Sequence, residues 1–372
     1  MTVADVPAWL ERLLAGETEQ YRPVVFRLSD AQDRTSFDHL RSCLPDLTIH
    51  DRIHEQVGGL LQARTPARRL TPDERAAAVA AHLADVDPDR YGVWVFYPWL
   101  RAVVHLLDAG EFVELRTDRN RNRVTPEERD ALASRRVGVV GLSAGAAIAM
   151  TVALERGCGE LRLADMDRLE LSNLNRLRAG VHHLGLPKAV LAARAIAELD
   201  PFLTVTCHPE GIHAGNVDAF LTGGGRIDLL LEECDSLDVK LLLRERAREL
   251  GIPVVMATCD RGMLDVERFD LEPGRPLLHG LVGDLDSRRL RGLTEPERLS
   301  HVISILGGPD ALPERLSASL TEVGRTIETW PQLASAVTLS SGIAADVCRR
   351  VLLGQLSSSS RHLVDLEELI RD

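Results

Sequence analysis

Residues 136–147, RVGVVGLSAGAA, run from a short apolar stretch into a glycine-bearing turn and then into helix-forming composition. Such a turn brings backbone N–H groups and a helix N-terminus close to a phosphate. Asp165 and Asp167 follow 24 and 26 residues after Gly141, at the end of the next apolar run. A carboxylate at that place hydrogen-bonds a ribose hydroxyl in dinucleotide-type folds. Against the G-x-G-x-x-G fingerprint, Gly141 fits, Ser143 and Ala146 stand in the second and third places, and Gly145 falls one place early. Small residues preserve the turn, but the phosphate contacts need not follow the usual set. Gly141–Gly145 also matches the G-x-S-x-G nucleophile elbow, for which Asp235 with His279 or His301 would supply the acid and the base. So short a match arises readily by chance, and Ser143 is read as a small residue in a tight turn. Cys259 ends another apolar run, where a thiol could accept an acyl group or sulfur; a packed, inert cysteine is the default reading.

These side chains need a scaffold that presents them from one edge. Val137–Val140 and Leu161–Ala164 are short apolar runs, and Thr204–Cys207, Leu229–Glu232 and Val254–Ala257 read as further strands. Between them, Ala144–Arg156, Lys188–Leu199, Asn216–Leu221 and Leu237–Leu250 carry helical composition or spacing. Strands alternating with helices mean crossover units on a parallel sheet. The expected fold class is therefore α/β, a doubly wound, Rossmann-like, mostly parallel sheet. Asp235 also stands where an N-cap of the Leu237–Leu250 helix would. Leu264–Leu271 alternates apolar and polar residues, as a half-exposed antiparallel strand does. Leu312–Ile327 and Leu339–Leu353 read as helices, with a short last element expected to pack back on the sheet. The N-terminal stretch differs in character, with a helical Thr71–Ala84 and the aromatic run YGVWVFYPW at 91–99. The expected division is an extra N-terminal α+β domain at 1–115, a nucleotide-binding domain at 116–290 and a helical C-terminal extension at 291–372.

Composition narrows the partners. The 372 residues are 45% hydrophobic and 27% charged, with ample material for a core, and the formal net charge is −12. An acidic balance argues against a non-specific nucleic-acid or anionic-membrane binder. No apolar run reaches the roughly 18 residues of a membrane span, and the first residues lack the basic and apolar regions of a signal peptide. Six dispersed cysteines with no C-x-x-C pair fit reduced thiols in a cytoplasm and leave no zinc site expected.

Residues 161–176, LRLADMDRLELSNLNR, resemble the signature of the E1-like activating enzymes, the superfamily of ThiF, MoeB and the adenylation domains of ubiquitin-activating enzymes. The pattern is a strand, D-x-D, a spacer and S-N-L-x-R. Residues 185–189, GLPKA, are similar to the family's G-x-x-K-A, and 231–236, LEECDS, to its strand-C-x-D-[NS] element. The elements keep order and spacing over roughly 116–271.

The resemblance implies ATP-dependent adenylation of a carboxylate with release of pyrophosphate. It implies that Asp165, with Asp167, serves the ribose, that Gly141, Ser143 and Gly145 form the phosphate turn, and that Asn173, Arg176 and Lys188 hold the triphosphate. It implies Mg²⁺ on Asp235. Arg and Lys at these places would counter the charge that develops on the leaving group. An arginine of an upstream R-x-x-R motif completes the partner subunit's site in this family. RTDR at 116–119 fits that motif, making Arg119 the first choice and Arg121 its rival, and a homodimer is expected. The acyl substrate would be the C-terminus of a ubiquitin-like or sulfur-carrier protein, a peptide or a small acid. With its N-terminal domain, the whole chain resembles a less characterised set of bacterial E1-like proteins, some fused to a nitroreductase-like domain. A non-catalytic E1-like partner subunit is the alternative, but such halves lose the phosphate-binding residues that are kept here. A nicotinamide dehydrogenase does not account for SNLNR at 172–176.

Overall fold

A computed structural model of the chain describes residues 19–259, 261–308 and 314–370. It divides into two compact units, one of residues 1–126 with 197–202 and one of 127–196 with 203–372. The first unit thus reaches past residue 115 and takes in a short later segment, while the C-terminal helices fall with the second unit.

The N-terminal unit has a four-stranded mixed sheet, β1 (Val24–Phe26), β2 (Thr48–Asp51), β3 (Val93–Tyr97) and β4 (Ala102–Leu106), in the order β1-β3-β4-β2. β2 runs parallel to β4 and the other pairs are antiparallel. Helices α1 (Ala31–Cys43), α2 (Ile53–Arg64), α3 (Pro72–His82) and α4 (Ala109–Arg116) accompany it. α3 starts where Thr71 and Glu74 form a capping box with proline in the first turn, which satisfies N–H groups that the helix itself cannot. Phe26, Phe37, Leu40, Trp94 and Phe96 form one core cluster, and Ile53, Val57, Leu60, Val79 and Leu107 another. His105 is fully buried and stacked on Trp94 at 4.1 Å between ring centroids. Its Nδ1 meets Asp51 Oδ1 at 3.0 Å and its Nε2 the Tyr91 carbonyl at 2.7 Å, so both ring nitrogens are satisfied.

The second unit is built on a seven-stranded sheet: β5 (Arg136–Val140), β6 (Glu160–Ala164), β7 (Thr204–His208), β8 (Leu229–Glu232), β9 (Val254–Ala257), β10 (Met263–Glu267) and β11 (Ser360–Leu363). Its order is β11-β10-β9-β8-β5-β6-β7. The five strands β5 to β9 are parallel, and β10 and β11 are antiparallel to their neighbours. Val137, Val139, Leu161, Leu163, Leu229, Leu231, Val254 and Val255 are buried. Strands covered on both faces read as continuous apolar runs for that reason. The helices are α5 (Pro126–Leu132), α6 (Gly145–Glu155), α7 (Lys188–Leu199), α8 (Val217–Thr222), α9 (Leu237–Leu250), α10 (Glu295–Ile305), α11 (Glu314–Leu320), α12 (Ala334–Leu352) and the one-turn α13 (Leu366–Leu369).

From β5 the chain winds outward through β6 to β7, then returns to the other side of β5 and winds outward through β8 to β9. The strand order reverses between β5 and β8. The carboxyl ends of these two strands therefore border the crevice in which open α/β sheets bind ligands.

Three readings of single elements need correction. The N-cap of α9 is Ser236, whose Oγ accepts from Val239 N, so Asp235 is not held as a cap. The expected helix 312–327 begins outside the described residues and ends at Leu320. β10 is antiparallel as expected but buried along its length, because its polar residues, Asp265 and Glu267, are internally paired. The short last strand, β11, lies beside β10.

Candidate active site

β5 delivers the chain to Gly141, which sits at φ +87°. A Cβ there would come within 2.6 Å of the Glu233 carbonyl group and 2.7 Å of Cys234 N. Both the left-handed backbone and the closeness of the β8 exit thus require glycine. α6 begins at Gly145 without a side-chain cap, leaving its first N–H groups for a ligand.

Asp165 closes the other side of this turn. Its Oδ2 accepts from Leu142 N at 2.5 Å and its Oδ1 from Asp167 N at 2.8 Å. Burial raises its pKa above the ordinary carboxylate value, and the two N–H groups oppose that shift. A carboxylate has further lone pairs, so ribose hydroxyls can be accepted beside these bonds. Asp167 itself is exposed, and its Oδ2 accepts from Lys188 Nζ at 2.7 Å. Lys188 is buried, is the first residue of α7, and also donates its backbone N–H to the Asp167 carbonyl at 3.0 Å.

The segment Leu171–Asn175 forms a short 3₁₀ helix. Buried Asn173 accepts from Glu170 N through Oδ1 at 3.1 Å, and its carbonyl takes the backbone N–H groups of Arg176 and Leu177. Arg176 is thereby aimed at the glycine turn, where its Nε donates to Ser143 Oγ at 3.0 Å. Ser143 therefore sits with an arginine, and no histidine contact to it is found among the described residues. His279 meets Asp265, at 2.5 Å. The nucleophile-elbow reading, with Asp235 and His279 as partners, is not what the fold builds.

Asp235 follows the β8 exit, exposed and, among the described residues, without a hydrogen bond or ion pair. One free carboxylate next to a phosphate-binding turn fits Mg²⁺, which is held by one or two carboxylates, waters and substrate phosphates rather than by an all-protein cage. Arg119 lies in the N-terminal unit on the 3₁₀ turn Asp118–Asn120, exposed and unpaired among the described residues. Arg121 Nε is paired with Asp118 Oδ1 at 3.1 Å.

Sequence reasoning missed the charged residues behind β8. Glu232 is fully buried and accepts from Lys240 Nζ at 2.8 Å and from Arg244 Nη1, while Arg244 Nε donates to Glu267 at 2.6 Å. Burial opposes ionisation, yet Lys240 and Arg244 pull Glu232 down to about 2. Glu233 points to the opposite face, where its side chain lies against Gly145 and its Oε1 accepts from Ala257 N at 2.8 Å. Burial, reinforced by the Glu232 charge and opposed by the Ala257 N–H, pushes the Glu233 carboxyl up to about 8. Lys240 and Arg244 stand four residues apart, a spacing that places them on one face of α9; nothing at short range marks Glu232 of β8 as their partner.

A profile described as the ThiF family matches residues 117–366. An uncharacterized protein of Mycobacterium tuberculosis, MT1398, is 46% identical over 92% of this chain, which spans 45% of that relative. A sulfur carrier protein adenylyltransferase of Thermus thermophilus is 27% identical over 43% of this chain and 57% of its own length. Among solved structures, the E. coli tRNA N6-threonylcarbamoyladenosine dehydratase TcdA in complex with ATP has a TM-score of 0.47 and 19% identity, over 65% of this chain and 95% of that one.

Proposed function

Because the chain belongs to the ThiF family, within the E1-like superfamily, we propose that it uses ATP to adenylate a carboxylate and releases pyrophosphate. The observation that carries this reading is the meeting of the glycine turn, Asp165, the Arg176–Ser143 contact and the Lys188–Asp167 pair at one reversal of strand order, with Asp235 at the adjoining β8 exit.

In the reaction a carboxylate oxygen attacks the α-phosphorus of ATP, and the bond to the bridging oxygen of pyrophosphate breaks. Negative charge then grows on the leaving group. Asp165 binds the ribose, and the N–H groups of the Gly141–Gly145 turn bind phosphate. Arg176 and Lys188 meet the developing charge, with no reorganisation needed because Ser143 and Asp167 already orient them. Asp235 would hold Mg²⁺, which when bound would supply a further positive charge for the phosphates. The acyl substrate fits the class of carrier-protein tails, peptides or small acids. The active unit is a homodimer in which Arg119 of one copy serves the site of the other.

The experiment is ATP–pyrophosphate exchange across candidate carboxylates, with thermal melts in parallel. Mg·ATP should raise the melting temperature and NAD and NADP should not. Equal stabilisation by NAD would sink the reading.

A further inference from the structure

The position between the family's asparagine and arginine, Asn175, has a distinct set of contacts. Arg176 Nη1 donates to Asn175 Oδ1 at 2.9 Å, and Asn175 Nδ2 donates to the Gln332 backbone carbonyl at 2.8 Å. The two bonds use the two ends of one amide, so its orientation is fixed by chemistry: oxygen to the guanidinium, nitrogen to the carbonyl. With the Arg176–Ser143 contact, a continuous polar chain runs from the glycine turn through Arg176 and Asn175 to Gln332, 157 residues away from Asn175 in sequence. Gln332 stands just before α12, whose first turn is closed by Val337 N bonding the Leu333 carbonyl at 3.1 Å. Its side-chain Oε1 is buried without a hydrogen-bond partner. A buried open acceptor is costly, and it is the backbone carbonyl, not the side-chain oxygen, that ties Gln332 to Asn175.

We propose, resting on the adenylation reading of this site, that Asn175 is a positioning residue that couples Arg176 to the segment entering α12. Through it, nucleotide phosphates engaged by Arg176 order residues 329–337, and that segment becomes a wall of the loaded site. Arg176 has two hydrogen-bonding anchors, Ser143 and Asn175. Losing Asn175 leaves one, so the guanidinium becomes mobile while the fold of the sheet is untouched.

Three variants separate the two ends of the amide. Asn175→Asp keeps an acceptor for Arg176 but places an oxygen against the Gln332 carbonyl. Asn175→Ala removes both ends, and Asn175→Gln keeps both on a longer stem. The probes are Mg·ATP and AMP binding by calorimetry, and hydrogen exchange with and without Mg·ATP. In wild type, Mg·ATP should slow exchange in the glycine turn and in 329–337. Asn175→Asp should bind Mg·ATP within about fivefold of wild type, since one hydrogen bond nets roughly 1 kcal/mol, yet lose the protection of 329–337. Asn175→Ala should lose that protection and bind Mg·ATP about tenfold more weakly, with AMP binding unchanged. Asn175→Gln should recover part of both. Protection of 329–337 in the Asp variant, or its absence in a wild type that binds Mg·ATP, would overturn the coupling. A wild type that fails to bind Mg·ATP would instead remove the adenylation reading. The coupling is then judged in ligand-free protein, where exchange at Val337 should speed up in the Asp and Ala variants and equal rates would end it.

Discussion

Lys188 is buried at the first residue of a helix, where the macrodipole disfavours a cation, and it is matched there by the exposed Asp167. A lysine in that place costs stability unless its charge is used, and on the proposed reading the phosphates at the glycine turn supply the use. Lys188→Ala should therefore lower pyrophosphate exchange by about 10²–10³. Asp167→Asn, which frees the amine without removing it, should lower exchange far less; equal losses would mean that the pair is only structural. At Glu233 the prediction concerns pH. An unfolded glutamate ionises near 4.5, whereas the folded one ionises near about 8. Below pH 4.5 both states are protonated. As pH rises from there toward 8, the unfolded state ionises first and wild type loses stability. Glu233→Gln has no such charge, so its stability relative to wild type should grow across that window and level off above it, with a ceiling of roughly 5 kcal/mol. Chemical denaturation at a series of pH values reads this directly, and a difference constant with pH would refute it. Gly141, Asp165, Arg176, Lys188 and Asp235 could be singled out in sequence because the chemistry proposed for them fixes type and spacing. Glu233 could not, since two glutamates in a row at a strand end look like solvated charge.

Among the elements, β10 shows what an alternating pattern conceals. Apolar and acidic residues in turn suggest one wet face, and β9 beside it, VVMA at 254–257, raises no such ambiguity. Here Asp265 meets His279, and Glu267 meets Arg244 and the backbone N–H of Leu278 at 2.6 Å. The acids lie inside because α9 and the turn at Leu278–His279 bring partners to them, and such long-range partners leave no mark at short spacing. Leu278 and His279 both take left-handed backbone, at φ 48° and 55°, a strain that these bonds offset. Arg244 joins the two strands by bonding Glu232 of β8 and Glu267 of β10. Arg244→Met would strand the buried Glu267 carboxylate and leave Glu232 with Lys240 as its remaining ion-pair partner, and should cost about 3–5 kcal/mol of unfolding free energy. Arg244→Met combined with Glu267→Gln, which leaves the Glu232–Lys240 pair in place, should recover a large part of it. If the single variant unfolded at the wild-type denaturant midpoint, the ion pairs would have no bearing on the sheet.

At the scale of the whole molecule, the question is whether one copy suffices. Arg119 and Asp235 belong to different compact units of the chain, and both lack an ion-pair partner among the described residues. An exposed arginine costs little in the monomer, and on the proposed reading it completes a second copy's triphosphate site. In that arrangement each site needs Asp235 from one chain and Arg119 from the other. Arg119→Ala and Asp235→Ala homodimers should each be inactive in pyrophosphate exchange, falling by about 10²–10³ for the arginine alone. When the two variants are mixed and allowed to exchange subunits, half of the dimers are mixed if pairing is random. Each mixed dimer holds one site with both defects and one with neither, so the mixture should recover about a quarter of wild-type activity, a proportion set by site counting and symmetry. Arg121→Ala serves as the control, because Arg121 is already spent on Asp118, and it should keep near-normal exchange alone. Sedimentation at the assay concentration fixes the fraction of dimer against which the recovery is scored. No recovery in a mixture that has exchanged subunits would place Arg119 in its own chain's site or outside the reaction, and loss of exchange in Arg121→Ala alone, restored by mixing with Asp235→Ala, would move the role two residues along the chain.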